Sequence, residues 1–174
     1  MAFLHFYITK QKRLKVVIVG GGYAGIAALT TLLHYAPDTE ITIIDPNSQH
    51  LKITHLHETF RYPLTDLLIP FSDLENRFGC RHMAASVRFD EEQLQTCQEK
   101  KRLILDEEVL DFDYLLVASG CESRATEHHA DVLDLQDFTT SPGSELLAQF
   151  INNHNQSDQS ISVVGGGATG IQFL

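Results

Sequence analysis

Val16-Val17-Ile18-Val19 is a β-branched run that stops on Gly20-Gly21-Gly22 and gives way to Tyr23-Ala24-Gly25 and an alanine-rich stretch. This junction constrains the fold more than any other part of the chain. Its glycines fall as G-x-G-x-x-G at Gly20, Gly22 and Gly25. Gly20 permits a tight turn out of a strand. Gly22 lets backbone approach a pyrophosphate, and Gly25 lets the following helix pack on the strand. Amides at the helix start, around Tyr23 and Ala24, would then face phosphate with the helix dipole assisting. A second β-branched run, Glu40-Ile41-Thr42-Ile43-Ile44, ends in Asp45, 20 residues after Gly25. That is about where a dinucleotide fingerprint places the carboxylate for a ribose hydroxyl. The competing reading is a glycine turn in an unrelated α/β protein, and the presence of every part of the pattern weighs against it.

The rest of the chain is read around this unit. Residues 1–14 form a leader, followed by a strand at 15–19, a helix at 23–34 closed by Pro37, and a parallel strand at 40–44. The stretch 45–63 is poorly readable. Its His55 and His57 would share a face on a strand, but no carboxylate or cysteine has metal-ligand spacing, and ordinary polar histidines are the better reading. Lys52 could face a bound cofactor or lie in solvent. Short helical pieces are expected at 64–69 and 71–78, a strand at 82–90, and a hairpin or meander over 93–110. Residues 112–120 read as a buried parallel strand. A polar loop at 121–143, a helix at 144–151 with Ser141 as a candidate cap, and a linker at 152–159 follow. The chain then starts over: Ile161-Ser162-Val163-Val164 leads into Gly165, Gly167 and Gly170, the first glycine spacing repeated 145 residues later.

A net charge of −10 argues against nucleic acid and against simple electrostatic attachment to anionic lipid. Cys80, Cys97 and Cys121 are too few and too widely spaced for a disulfide framework or a zinc pattern, so reduced thiols are expected. No stretch is long enough to span a bilayer, and the apolar run near the N-terminus is too short for a signal peptide.

Three motifs together are far more specific than one: Gly20 to Gly25, Asp113-Tyr114-Leu115-Leu116-Val117-Ala118-Ser119-Gly120, and Val163 to Gly170. On these the chain resembles the pyridine nucleotide-disulfide oxidoreductase superfamily of two-dinucleotide-domain flavoproteins. Ser119 stands where the family usually has Thr, which keeps a hydroxyl. The resemblance implies an α/β fold with a Rossmann-like FAD-binding domain, containing a parallel sheet and a β-meander, and the start of a second Rossmann domain. It implies FAD held by Gly20, Gly22, Tyr23, Ala24 and Gly25, with Asp45 on the adenosine ribose and the Val87 backbone near adenine. Ala118, Ser119 and Gly120 would line the same site, with Lys52 a further candidate. Gly165, Gly167 and Gly170 would meet the pyrophosphate of NAD(P)H.

Disulfide reductases of this superfamily carry a Cys-x-x-x-x-Cys pair after the second strand. This chain has no cysteine between Asp45 and Cys80. It therefore resembles type II NADH dehydrogenases and related flavoenzymes, which implies hydride transfer from NAD(P)H to flavin and then to a quinone or other acceptor. Cys121 is read as a buried, inert cysteine rather than a redox thiol. The implied organisation is a leader (1–14), an FAD-binding segment (15–143), a connecting helix and linker (144–160), and the start of an NAD(P)H domain (161–174). By length the chain reads as an N-terminal fragment or a truncated product, inactive alone and with FAD binding weakened or lost. Either a disordered tail or self-association through residues 160–174, most simply as a homodimer, is expected, as is a cytoplasmic location with peripheral membrane contact for the full-length protein. A ferredoxin-reductase-type flavoenzyme and a nucleotide-binding module without catalysis are the alternatives.

Overall fold

In a computed structural model, which describes residues 12–106, 108–121, 132–153, 162–165 and 167–172, the glycine turn joins a central strand to a helix, as its spacing demands. The strand is β1 (Lys15–Val19), the helix α1 (Tyr23–Tyr35), and β2 (Glu40–Ile44) follows. Next come β3 (Gln49–Leu51), 3-10 helices at Ile53–Phe60 and Leu64–Leu67, β4 (Leu68–Pro70), α2 (Phe71–Phe78) and β5 (Arg81–Met83). The chain continues through α3 (Glu91–Lys100), β6 (Arg102–Ile104), β7 (Val109–Asp111), β8 (Tyr114–Val117), α4 (Leu135–Thr140), α5 (Gly143–Asn153) and α6 (Ala168–Gln172). Two compact units result: Met1–Asn47 with Leu74–Gly120, and Ser48–Asp73 with Cys121–Leu174.

In the first unit four strands pair in the order β5-β2-β1-β8, all parallel. The chain steps outward from β1 to β2 and β5, then returns to the other side of β1 as β8. Strand order therefore reverses at β1, and ligands of open α/β sheets bind at such a reversal, beyond the carboxyl ends of the strands. Flanked on both edges, β1 buries four of its five residues. Val17, Val19, Ile44, Cys97, Leu103, Leu110 and Phe112 form one core cluster. Each buried aliphatic side chain there stabilises the fold by about 1.5–3 kcal/mol.

Several expectations are corrected. The strand expected at 82–90 pairs only over Arg81–Met83. Beyond it the chain still alternates, with Ala85, Val87 and Phe89 packed on the core cluster while Ala84, Ser86 and Arg88 are exposed. The hairpin or meander expected over 93–110 is present only in its second half, as the antiparallel β6–β7 hairpin, while its first half is α3. Asp90 caps α3 by accepting from the Gln93 N–H at 2.9 Å, and Lys101 ends it in the left-handed region (φ 54°). β8 is an edge strand rather than a buried one, with Tyr114, Leu116 and Val117 all exposed.

In the second unit, β3 and β4 form an antiparallel pair, so the helix expected at 64–69 is a 3-10 turn that becomes a strand at Leu68. The polar stretch 121–143 contains α4, closed by a capping box in which Asp134 and Asp137 bond each other's backbone. Ser141 is the C-cap of that helix, not the cap of α5. Leu56, Leu67, Phe138 and Leu146 make this unit's core cluster. The Thr59 hydroxyl donates to the Leu56 carbonyl at 2.6 Å and accepts the Gly143 N–H at 2.8 Å, tying α5 to the longer 3-10 helix. Residues 162–165 carry no described strand before α6. The first eleven leader residues, Ile161 and linker residues 154–159 lie outside the described residues.

Candidate functional site

The carboxyl ends of the four parallel strands converge on the first glycine turn. The Gly20 N–H donates to the Ile44 carbonyl at 2.8 Å, Asp45 N–H to Met83 at 3.1 Å, and Ala118 N–H to Val19 at 2.7 Å. The three glycines then divide by what surrounds them. Gly20 sits at φ +106°, and a Cβ there would collide with the Ala118 carbonyl. A Cβ on Gly25 would collide with the Gly20 carbonyl and meet Ile18 Cγ2 at 3.4 Å. Both are glycine because the protein's own backbone leaves no room. Gly22 has ordinary φ (−72°) and nothing within 4 Å of a Cβ position. No packing or backbone requirement explains it, while a ligand backed against the turn does.

The helix start is open in the same sense. Gly22 is the N-cap of α1, no side chain caps it, and Gly22, Tyr23 and Ala24 are exposed. A short exposed turn at a helix N-terminus suits an anion such as a pyrophosphate. Asp45 stands beside it. Its Oδ2 accepts the Gly21 N–H at 2.8 Å, while Oδ1 accepts the Asn47 N–H at 2.9 Å and the Asn47 Nδ2 amide at 3.1 Å. The backbone carbonyl of Asp45 meets His82 Nε2 at 3.2 Å, and the His82 N–H donates to Glu75 Oε1 at 2.7 Å. Sequence reading passed over Asn47 and His82. The Asp45-Pro46-Asn47 order was the available signal for Asn47, since Asp-Pro initiates turns in which the carboxylate accepts an amide two residues on.

Gly20, Gly22, Gly25, Asp45, Ala118 and Ser119 are thus assembled at one place, with Ser119 Cα also against the Gly20 position. Gly120 follows at φ +75°. Val87 lies in the same unit with its side chain on the core cluster. Lys52 belongs to the second unit, where its Nζ donates to the Asp66 carbonyl at 3.3 Å. The second motif repeats part of the first geometry: a Cβ on Gly170 would collide with the Gly165 carbonyl, and Gly165 has φ +121°. Gly165 has nothing within 4 Å of its Cβ position, however, where Gly20 has the chain leaving β8.

A groove of about 500 Å³ lies elsewhere in the first unit, lined by apolar residues including Phe89, Leu94, Phe112 and Val117. His55 and His57 stack at 6.3 Å on the longer 3-10 helix, not on a strand, and His57 Nδ1 is buried without a partner among the described residues. No cluster of three or more His, Cys, Asp or Glu among the described residues is arranged for a metal. Cys121 is exposed, against expectation, because it lies past Gly120 and outside both core clusters. Burial pushes the Cys80 thiol up, its own backbone hydrogen bond opposes this, and Glu75 adds to it. Burial also pushes Cys97 up.

A family model described as pyridine nucleotide-disulphide oxidoreductase matches residues 14–173. The chain belongs to this family. Type II NADH:quinone oxidoreductases of Staphylococcus saprophyticus and Staphylococcus epidermidis are 28% and 32% identical to it over 182 aligned positions, covering 94% of this chain and 43% of theirs. The chain therefore spans less than half the length of these relatives. The sulfide:quinone oxidoreductase of Aquifex aeolicus superposes with a TM-score of 0.62 at 17% identity, over 82% of this chain and 33% of that one. NDH2 of Plasmodium falciparum superposes with 0.61 at 17% identity, over 93% and 36%. At such identities the likeness is one of fold, which many chemistries share. For this member of the family, no helix among the described residues is long and apolar enough to cross a membrane.

Proposed function

We propose that this chain forms the FAD-binding part of an FAD-dependent NAD(P)H oxidoreductase. The observation that carries the reading is the contrast at the glycine turn. Gly20 and Gly25 answer to the protein's own backbone, and Gly22 answers to open space at an uncapped helix start. In this reading Gly20, Gly22, Tyr23, Ala24 and Gly25 cradle the FAD pyrophosphate. Asp45 takes the adenosine ribose, and the Val87 backbone serves adenine. Ala118, Ser119 and Gly120 line the cofactor, and Lys52 faces the flavin or its phosphates. Gly165, Gly167 and Gly170 meet NAD(P)H. A bound flavin supplies hydride acceptance and onward transfer to a second acceptor; the residues here bind and orient. The Staphylococcus relatives are NADH:quinone oxidoreductases, which supports a quinone as that acceptor. The same proposal takes 15–143 as the FAD-binding segment, 144–160 as a connection and 161–174 as the opening of the NAD(P)H domain. It includes a homodimer and a cytoplasmic location, with peripheral membrane contact for the full-length protein.

One observation favours a second reading, a nucleotide-binding module without catalysis of its own. The first glycine site is built against a neighbouring strand end, whereas Gly165 has no such neighbour within 4 Å. Two measurements decide. FAD titrated into the protein should bind with quenched flavin fluorescence, and Gly22→Val should abolish that binding. Failure of the wild type to take up FAD overturns the proposal. NADH oxidation by the FAD-loaded protein would rule out the second reading, since a module would bind FAD and oxidise no NADH.

A further inference from the structure

A carboxylate at the end of a strand has two interchangeable oxygens and a free torsion about its terminal bond. To present one chosen oxygen, something must occupy the other. Asp45 is followed by Pro46, whose ring fixes φ and turns the chain back toward the preceding side chain. The Asn47 N–H then reaches Asp45 Oδ1 at 2.9 Å, and the Asn47 side-chain amide donates to the same oxygen at 3.1 Å. A carboxylate oxygen has about two lone-pair sites, so Oδ1 is filled. Oδ2 is left facing the glycine turn, where it accepts the Gly21 N–H at 2.8 Å and keeps capacity for one more donor. Asn47 itself is exposed, and no hydrogen bond or ion pair described for it reaches the core.

We propose that Asn47 is a positioning residue for the cofactor site: it fills one oxygen of Asp45 so that the other is held between the glycine turn and the ribose. This rests on the FAD reading above. It makes the end of β2 and the turn after β1, 24 residues apart in sequence, one rigid recognition unit. Rigidity there removes an ordering cost that binding would otherwise bear. The Asn47 side chain serves the cofactor and not the fold, because its only described bonds are to a residue two positions away.

The test measures FAD affinity by quenching of flavin fluorescence for the wild type and for Asn47→Ser, Asn47→Ala and Asn47→Asp. The melting temperature of each cofactor-free protein is measured alongside. Asn47→Ala should bind FAD about five- to tenfold more weakly, the scale of one ordinary hydrogen bond lost at a solvent-exposed site. Asn47→Ser keeps a short donor and should recover most of that loss. Asn47→Asp sets a like charge beside Asp45 and should lose more than Asn47→Ala. The melting temperatures should stay together. Unchanged affinity in Asn47→Ala overturns the inference and leaves the FAD reading intact. Melting temperatures that fall in step with affinity also overturn it, because they assign Asn47 to the fold. A wild type that takes up no FAD overturns both.

Discussion

Three glycines with one spacing carry separable duties, and substitution should separate them. Gly25→Ala drives a methyl group into the Gly20 carbonyl, a backbone atom that cannot swing aside. It should destabilise the protein by about 3 kcal/mol or more. Gly22→Val meets no protein atom and should change stability by no more than about 1 kcal/mol while abolishing FAD binding. Urea denaturation beside FAD titration checks both, and a Gly22→Val protein that unfolds as readily as Gly25→Ala would sink the distinction. A second residue sets a pH dependence. The Lys15 N–H at 2.8 Å and then the Lys12 ammonium at 3.1 Å hold the Asp113 carboxyl below its usual range. With its folded pKa depressed, Asp113 stabilises the protein above the ordinary carboxylate pKa, and this is lost as pH falls through the folded value. The urea midpoint of Asp113→Asn should therefore lie below wild type near pH 7, and the gap should narrow in acid, once pH falls below the ordinary carboxylate range. An equal gap in acid would assign the effect to packing.

Among elements, α3 shows how a helix can hide from hydrophobic periodicity. It buries Gln93, Thr96 and Cys97, of which only the cysteine is apolar, while Leu94 is exposed. Its buried glutamine does structural work: Gln93 Nε2 donates to the Ile104 carbonyl at 3.0 Å and Oε1 accepts the Ile104 N–H at 3.4 Å, joining helix to hairpin. Its end carries no glycine, because Lys101 takes the left-handed position. What marks the helix is its start: Asp90 as cap, with Glu91 and Glu92 in the first turn opposite the helix dipole. Asp90→Ala should cost about 0.5–2 kcal/mol in urea denaturation, with the denaturant slope unchanged. A loss under about 0.2 kcal/mol would mean the Gln93–Ile104 bonds hold α3 without its cap. The β6–β7 hairpin is braced on its outside by Arg102 with Asp111 at 2.7 Å, an exposed pair of small energetic weight.

At the scale of the whole molecule, the parallel sheet sets its site through strand order. β1 ends where the chain's course across the sheet reverses, so the turn after β1 is flanked by the ends of β2 and β8. The second glycine motif has no comparable surroundings among the described residues. Val164 is 98% exposed and Ile171 64% exposed. Apolar side chains displayed this way favour association with another copy. The proposed homodimer is therefore expected to appear as concentration-dependent light scattering, and Val164→Glu should return it to monomer without loss of thermal stability. Scattering that reports a monomer at every concentration removes the homodimer from the proposal.

Local rules were enough for the unit from β1 to Asp45. β-branched runs, glycine spacing and the Pro37 stop act within a few residues of one another, so β1, α1 and β2 stand in the structure almost residue for residue as read. The family resemblance was legible for the same reason, since its motifs are short and each is a strand–turn signature. Tertiary structure alone decided the rest. Asp45 meets Gly21, and Ala118 confines Gly20, only because β2 and β8 flank β1; those contacts join residues 24 and 98 positions apart. β8 reads as a core strand by composition, yet its exposure depends on how many neighbours the sheet provides, which composition does not encode. Which glycine serves the fold and which faces open space depends on the atoms within 4 Å, and chain topology brings those atoms there.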